Sequence, residues 1–155
     1  MRKALITALA LIFSASISVS AVACSYDGQF SNPFTESLDG SLDVAFATRE
    51  ALDSKRLSSL EPIEGQKGLR RASWWLTLMV KEYQKELHSI GYIYLIDSHL
   101  WSKLGGSQRI KIHSSPEDTR QAKVLLVSEA TLYAIVSNEL ELNNAIELGL
   151  VKVSR

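Results

Sequence analysis

The sequence predicts an α+β fold, in which N-terminal helices pack on a small antiparallel sheet and a closing pair of helices leads into the last strand. Three observations support this prediction. Apolar residues recur at helical spacing between positions 41 and 90, short strand-like runs with turn residues between them occupy 92–113, and helical spacing returns after an apolar run at 123–127. We expect one domain over residues 41–155.

Residues 1–23 have the pattern of an export signal. A basic pair after the initial methionine precedes an apolar run of about ten residues, which is shorter than the roughly 20 residues that a membrane-spanning helix needs. The run leads to Ala21-Val22-Ala23, whose small side chains suit cleavage by a signal peptidase. We therefore expect an exported protein that is periplasmic or anchored to the bacterial envelope.

Cys24 is the only cysteine of the chain and would be the first residue after cleavage. The run Ala21-Val22-Ala23-Cys24 resembles the lipobox of bacterial lipoproteins, although that family prefers leucine where Ala21 stands. The resemblance makes Cys24 a candidate lipidation site. The alternative is ordinary cleavage that leaves Cys24 as a free thiol, and a single cysteine excludes an intramolecular disulfide in either case.

Residues 24–40 are predicted to form an irregular arm or tether, because serine, aspartate, asparagine, glycine and proline dominate the segment. Tyr26, Phe30 and Phe34 are aromatic residues within this polar stretch. Exposed aromatic side chains are typical binding anchors, so these three are candidate partner-binding residues. The alternative is that they pack on their own domain.

The charge of the chain argues against a polyanionic partner. Removal of Arg2 and Lys3 with the signal leaves 15 basic and 17 acidic residues, a net charge of −2 with histidine neutral. We therefore expect no nucleic-acid partner, and association with a membrane only through a lipid anchor at Cys24.

Two helices are predicted before the first strand. Ser41 suits an N-cap, and the first helix should run to about Leu57. The second should extend from about Leu69 to Ile90, with Gly91 ending it. A Trp-rich amphipathic segment of this kind is also typical of membrane-surface helices. Its mixed charges favour a core helix instead, and they come from four residues: Lys81, Glu82, Lys85 and Glu86.

Strands follow the second helix. The runs at 92–96, 100–104 and 109–113 predict an antiparallel meander of three short strands. Residues 123–127 form a nearly continuous apolar run, which is expected of a strand buried on both faces.

The final third has the most specific pattern. It comprises Ser128, which suits an N-cap, two short helices with Asn138 between them, and a glycine before the last strand. This pattern resembles the closing segment of sterol-carrier-protein-2-like domains, although that family usually has glycine where Asn138 stands; asparagine tolerates a left-handed backbone. The corresponding residues are Ala122, Ser128, Glu129, Leu132, Leu140, Ala145, Gly149 and Val153. The resemblance places Gly149 at the turn into the last strand and so implies a left-handed conformation there.

The resemblance implies an apolar ligand enclosed between sheet and helices. The candidate ligand-binding residues are then Trp75, Met79, Leu132, Val136 and Ile146, with plain core packing as the alternative. We expect an exported, non-catalytic protein that binds an apolar ligand or a protein partner. The alternative function is a lipid-anchored accessory or assembly factor for another envelope protein.

No motif in the sequence indicates catalysis or metal binding. His88, His99 and His113 lack the spacing of metal ligands, although the last two could meet across the meander. The chain has no Gly-x-Ser-x-Gly elbow, no Walker loop and no dinucleotide fingerprint. We therefore expect no catalytic residues, no metal and no cofactor.

Overall fold

The structure, a computed structural model, describes residues 38–106 and 109–154. Its four α-helices are α1 (Ser41–Asp53), α2 (Gly65–Glu82), α3 (Glu129–Val136) and α4 (Leu142–Glu147). Its five strands are β1 (Tyr92–Leu95), β2 (Leu100–Gly105), β3 (Arg109–Ile112), β4 (Val124–Val127) and β5 (Val151–Ser154). A 3₁₀ turn, Thr119–Gln121, precedes β4.

The five strands form one sheet in the order β3-β2-β1-β4-β5, and the α+β prediction is confirmed. Three of the neighbouring pairs are antiparallel, but β1 and β4 run parallel, with Ile93 opposite Leu125. The prediction of a wholly antiparallel sheet is therefore wrong at this pair. The cause is the segment 113–123, which carries the chain back past the meander and starts β4 beside β1.

The two faces of the sheet bury different side chains, because neighbouring residues of a strand point to opposite faces. On the helical face, Ile93 and Leu95 of β1 belong to one core with residues of α2 and α3. On the opposite side, which we call the aromatic face, Tyr94 and Trp101 pack with Val124 and Leu126. The Tyr94 and Trp101 ring centroids lie 4.7 Å apart.

Helix α1 joins both cores. Val44, near its start, packs in the cluster of the aromatic face, whereas Ala51, near its end, belongs to the core of the helical face. The N-cap is Gly40, with a left-handed φ of 94°, rather than the predicted Ser41. The helix also ends earlier than Leu57, because the backbone N–H of Leu57 turns back to the Ala51 carbonyl at 3.1 Å.

Helix α2 ends at Glu82 rather than at Ile90, so the predicted length is wrong. Residues 84–89 form turns, in which the Leu87 N–H donates to the Tyr83 carbonyl at 3.0 Å. Leu87 and Ile90 nevertheless remain buried, which explains why apolar spacing alone extended the helix too far. Within the described ranges, no helix is long and apolar enough to cross a membrane.

The closing segment has the predicted order of elements. The Ser128 hydroxyl caps α3 by accepting a hydrogen bond from the Thr131 N–H at 3.2 Å. Asn138 and Gly149 have left-handed φ values of 60° and 73°, so each ends its helix in the expected conformation. Strand β5 then pairs antiparallel with β4.

Candidate functional site

A pocket lies where the parallel strands β1 and β4 end. The carboxyl ends of parallel strands meet at one edge of a sheet, and ligands of open α/β sheets bind outside that edge. Here β1 leads into the turn at Asp97 and Ser98, and β4 leads into Glu129 at the start of α3. The cavity has a volume of about 410 Å³, within the roughly 300–1,000 Å³ of small-molecule sites.

One wall of the pocket is apolar. It is formed mainly by the segment that connects α1 to α2, together with the end of α1 and the first turn of α3. Its apolar residues are Leu52, Leu60, Pro62, Ile63 and Ala130. A ligand with an apolar body would gain free energy by removing this surface from water.

Arg71 of α2 ties the walls of the pocket together. Its Nη2 donates to the Glu129 Oε2 at 3.3 Å, and its Nη1 donates to the Glu61 carbonyl at 2.9 Å. The Arg71 and Glu129 side chains are only 18% and 13% exposed, so this ion pair is shielded from solvent much more than a surface pair. The guanidinium also lies 4.9 Å from the centre of the Trp75 ring, which packs against the Tyr133 ring at an interplanar angle of 52°.

Asp97 connects the β1–β2 turn to the N-terminus of α3. Its Oδ2 accepts a hydrogen bond from the Glu129 N–H at 2.8 Å, one of the N–H groups that a helix leaves without an internal partner. Asp97 lines the pocket, and the residue as a whole is exposed to solvent.

The pKa of Asp97 is raised to about 7. Loss of solvation is the largest cause, and the neighbouring Glu129 carboxylate raises the pKa further. The backbone N–H groups of Glu129, Asp97 and Ser98 oppose these effects by stabilising the charged form. The Asp97 carboxyl can therefore either donate a hydrogen bond or carry a negative charge near neutral pH.

The charged residues of the lining are acidic apart from Arg71. Carboxylates come from Glu61, Glu64, Asp97 and Glu129, and the Glu129 carboxylate is already paired with Arg71. Asp97 forms no ion pair within the described ranges. The pocket thus offers three carboxyl groups that form no ion pair within the described ranges, those of Glu61, Glu64 and Asp97, beside its apolar residues.

The five ligand-binding candidates from the sequence do not line this pocket, nor two smaller cavities of about 280 and 260 Å³. Met79 and Leu132 are fully buried in the core, and Val136 is half-buried. The Trp75 ring packs against the Arg71 guanidinium, and Ile146 is 44% exposed on α4. The structure does not bring the five together around a cavity that it describes, and their role in binding stays a prediction.

Sequence reasoning missed Arg71, Asp97 and Glu129 as site residues. Asp97 was interpreted only as a turn residue, and Glu129 only as part of the closing pattern. The available signal is an acidic residue two positions after the end of each of two apolar strands. That signal has meaning only once β1 and β4 are known to be parallel neighbours.

Several of the remaining candidates are near the N-terminus. Cys24, Tyr26, Phe30, Phe34 and the predicted signal at 1–23 lie outside the described residues.

The histidines are placed individually. Buried His99 has its Nδ1 2.6 Å from the Tyr94 hydroxyl, and His88 is exposed with its Nδ1 2.6 Å from the Lys85 carbonyl. Within 38–106 and 109–154, no group of three or more histidine, cysteine, aspartate or glutamate residues could hold a metal ion.

Comparisons of the whole chain with protein-family models, with curated proteins and with solved structures found no match. The resemblance of the closing segment to sterol-carrier-protein-2-like domains therefore stays a prediction. The geometry of the pocket is the remaining guide to function.

Proposed function

We propose that the protein is an exported, non-catalytic binding protein whose pocket holds a small molecule with an apolar body and a basic group. The observation that carries the proposal is that the Asp97 carboxyl group lines a pocket together with the apolar side chains of Leu52, Leu60 and Ile63. The signal pattern of residues 1–23 supports the location outside the cytoplasm.

The basic group of the ligand is inferred from the charges of the pocket. Arg71 already compensates Glu129, whereas Asp97 accepts hydrogen bonds from backbone N–H groups and forms no ion pair within the described residues. A protonated amine beside Asp97 would form a charge-assisted hydrogen bond, which is stronger than a neutral one. Glu61 and Glu64 lie at the exposed side of the pocket and make its potential more negative.

Binding rather than catalysis is supported by the residue types in the pocket. Its lining contains neither histidine nor cysteine, so a hydroxyl group there has no imidazole base to activate it. The polar contacts of Arg71 and Asp97 connect one wall to another, which is the arrangement expected of a preorganised binding site.

The proposal is tested with three probes that share a six-carbon chain: hexylammonium, hexanol and hexanoate. Titration calorimetry should give the order hexylammonium, then hexanol, then hexanoate, because only the first complements Asp97. Ionisation of Asp97 should strengthen the binding of hexylammonium as the pH rises through about 7.

Two variants complete this test. Asp97→Asn should weaken hexylammonium binding by about tenfold, in line with a charge-assisted hydrogen bond, and should leave hexanol binding nearly unchanged. Glu147→Gln, which removes an exposed carboxylate outside the pocket, is the matched control. Equal affinity for the three probes, or an unchanged affinity in Asp97→Asn, would refute a pocket for a basic ligand.

A further inference from the structure

The solvent-facing side of α2 exposes two large apolar side chains one helical turn apart. Trp74 is 52% exposed and Leu78 is 37% exposed. The buried side of the helix, which includes Ala72, Leu76 and Met79, lies on the opposite side of the helix axis. Trp74 and Leu78 are therefore not the edge of the core but a separate surface feature.

Three cations lie on the same side of α2 as this pair. Lys67 and Arg70 precede Trp74 by one or two turns, and Lys81 follows Leu78 by about one turn. All three are exposed, and none forms an ion pair within the part of the chain that the structure describes. We call these five residues the basic-aromatic stripe; its length is about 21 Å at 1.5 Å per residue.

No acidic residue interrupts the stripe. Glu82 is the only acid within α2, and it lies about 80° around the helix axis from Trp74. Lys85 and Glu86, which made the charge pattern look mixed, follow the end of the helix and belong to the turns at 84–89. The net charge of −2 likewise conceals this local basic surface.

We propose that the basic-aromatic stripe binds the surface of an anionic lipid bilayer, with α2 lying parallel to the membrane plane. The side chains of the stripe match the successive layers of a bilayer surface. Tryptophan is favoured at the boundary between acyl chains and headgroups, and leucine gains by entering the apolar side of it. Lysine and arginine can keep their charges at the phosphates while their stems follow the apolar surface. An acidic protein would match the charges but would not require this central apolar pair.

This surface is separate from the pocket and goes beyond the proposed ligand binding. Arg71 and Trp75 point to the flank of α2 that contacts Glu129 and Tyr133, and neither belongs to the stripe. The contact should be reversible, because two apolar side chains enter the bilayer and each cation strengthens partitioning by only about fivefold.

The test measures sedimentation of the full chain with two kinds of vesicle. One kind contains phosphatidylglycerol and phosphatidylethanolamine in equal parts, and the other contains phosphatidylcholine alone. Lys67→Glu with Arg70→Glu should lower partitioning onto the anionic vesicles by about 25-fold or more. Trp74→Ser with Leu78→Ser should also lower it. Residues 1–37 are common to all variants, so any membrane affinity of that part cancels in the comparison.

Two controls match these variants in charge and in apolar loss. Lys111→Glu with Lys123→Glu makes the same change in net charge at exposed positions outside α2. Phe46→Ser removes an aromatic ring of α1 that is more exposed than the Trp74 ring. Both controls should retain wild-type partitioning, and all variants should keep the wild-type circular dichroism spectrum because every changed side chain is exposed.

Three results would overturn the proposal. The first is a charge-reversed stripe that partitions like its control. The second is an unchanged partitioning of Trp74→Ser with Leu78→Ser, which would indicate a general polyanion site. The third is equal binding of the wild type and both stripe variants to phosphatidylcholine and to anionic vesicles.

Discussion

The closing segment at 128–154 and the pocket at the ends of β1 and β4 are built from contacts of very different range. In the closing segment, Ser128 caps the helix that follows it, and Asn138 and Gly149 each end a helix through their own backbone conformation. In the pocket, Arg71 meets a residue 58 positions away, and Asp97 meets one 32 positions away. Local chemistry therefore specifies the first region, whereas the second exists only after the sheet has formed.

The largest effect is expected at the ion pair of the pocket. Arg71→Met should lower the free energy of unfolding by about 3 kcal/mol, because it leaves the shielded Glu129 carboxylate without its partner. Arg71→Met combined with Glu129→Gln should cost less than Arg71→Met alone. The exposed pair of Arg56 and Glu50 provides the control, and Arg56→Met should change stability by less than about 1 kcal/mol. Urea unfolding measures all three, and equal losses for Arg71→Met and Arg56→Met would contradict this description of the pocket.

The next effect tests the closing segment. Gly149→Val should destabilise the fold by about 2 kcal/mol, because valine strongly disfavours the left-handed φ of 73°. A Cβ atom at this position would lie 3.9 Å from the Ala47 Cβ, an ordinary contact, so the loss should come from the backbone. Gly106→Val, where a Cβ atom meets nothing within 4 Å, is the control. A melting temperature unchanged by Gly149→Val would show that this turn is not specified locally.

A smaller effect is expected at the cap of α3. Ser128→Ala should cost about 1 kcal/mol, because it removes the acceptor for the Thr131 N–H. The buried Thr48 hydroxyl, which donates to the Ser128 Oγ at 3.1 Å, would lose a partner as well. Ser137→Ala at the exposed end of the same helix should have little effect. Equal melting temperatures for the two variants would mean that capping contributes nothing measurable here.

A further effect is a dependence of stability on pH. Below pH about 4 Asp97 is protonated in the folded and unfolded chains alike, whereas between about 4 and 7 only the folded chain keeps the proton. The unfolded state then binds fewer protons, so stability should fall as the pH rises through this window and should level off above it. Asp97→Asn, measured by urea unfolding over the same pH range, should remove this part of the decline. A wild-type profile in Asp97→Asn would show that the carboxyl titrates normally.

The parts of the fold that the sequence predicted correctly depend on single residues and their neighbours. Asn138 and Gly149 were expected to be left-handed because few other residues accept that conformation, and both are. The end of α2 could not be predicted in the same way. Leu87 keeps its side chain in the core from within a turn, and Ile90 does so from just after the turns. Their spacing is the same as in a helix.

The pocket could not be predicted because it depends on which strands become neighbours. The apolar run at 123–127 correctly indicated a strand buried on both faces, and β4 is fully buried. Nothing in that run specifies a parallel partner, so the juxtaposition of Asp97 with Glu129 had no local signal. The basic surface of α2 was missed for a related reason, since charges were counted along the sequence before the end of the helix was known.

The position of α1 has a consequence for the order in which the protein can acquire its fold. This helix is the first element among the described residues, yet its Thr48 bonds to a residue 80 positions later and its Asp43 pairs with Lys152, 109 positions later. A chain that leaves a ribosome or a translocation channel from its N-terminus cannot close the Thr48 contact until Ser128 has emerged, or the Asp43 contact until β5 has emerged. Such distant contacts slow folding. We expect the emerging chain to remain open to proteases until that point, a state compatible with passage across a membrane. Pulse proteolysis would compare the protease sensitivity of stalled chains in which the residues after Leu150 have or have not emerged.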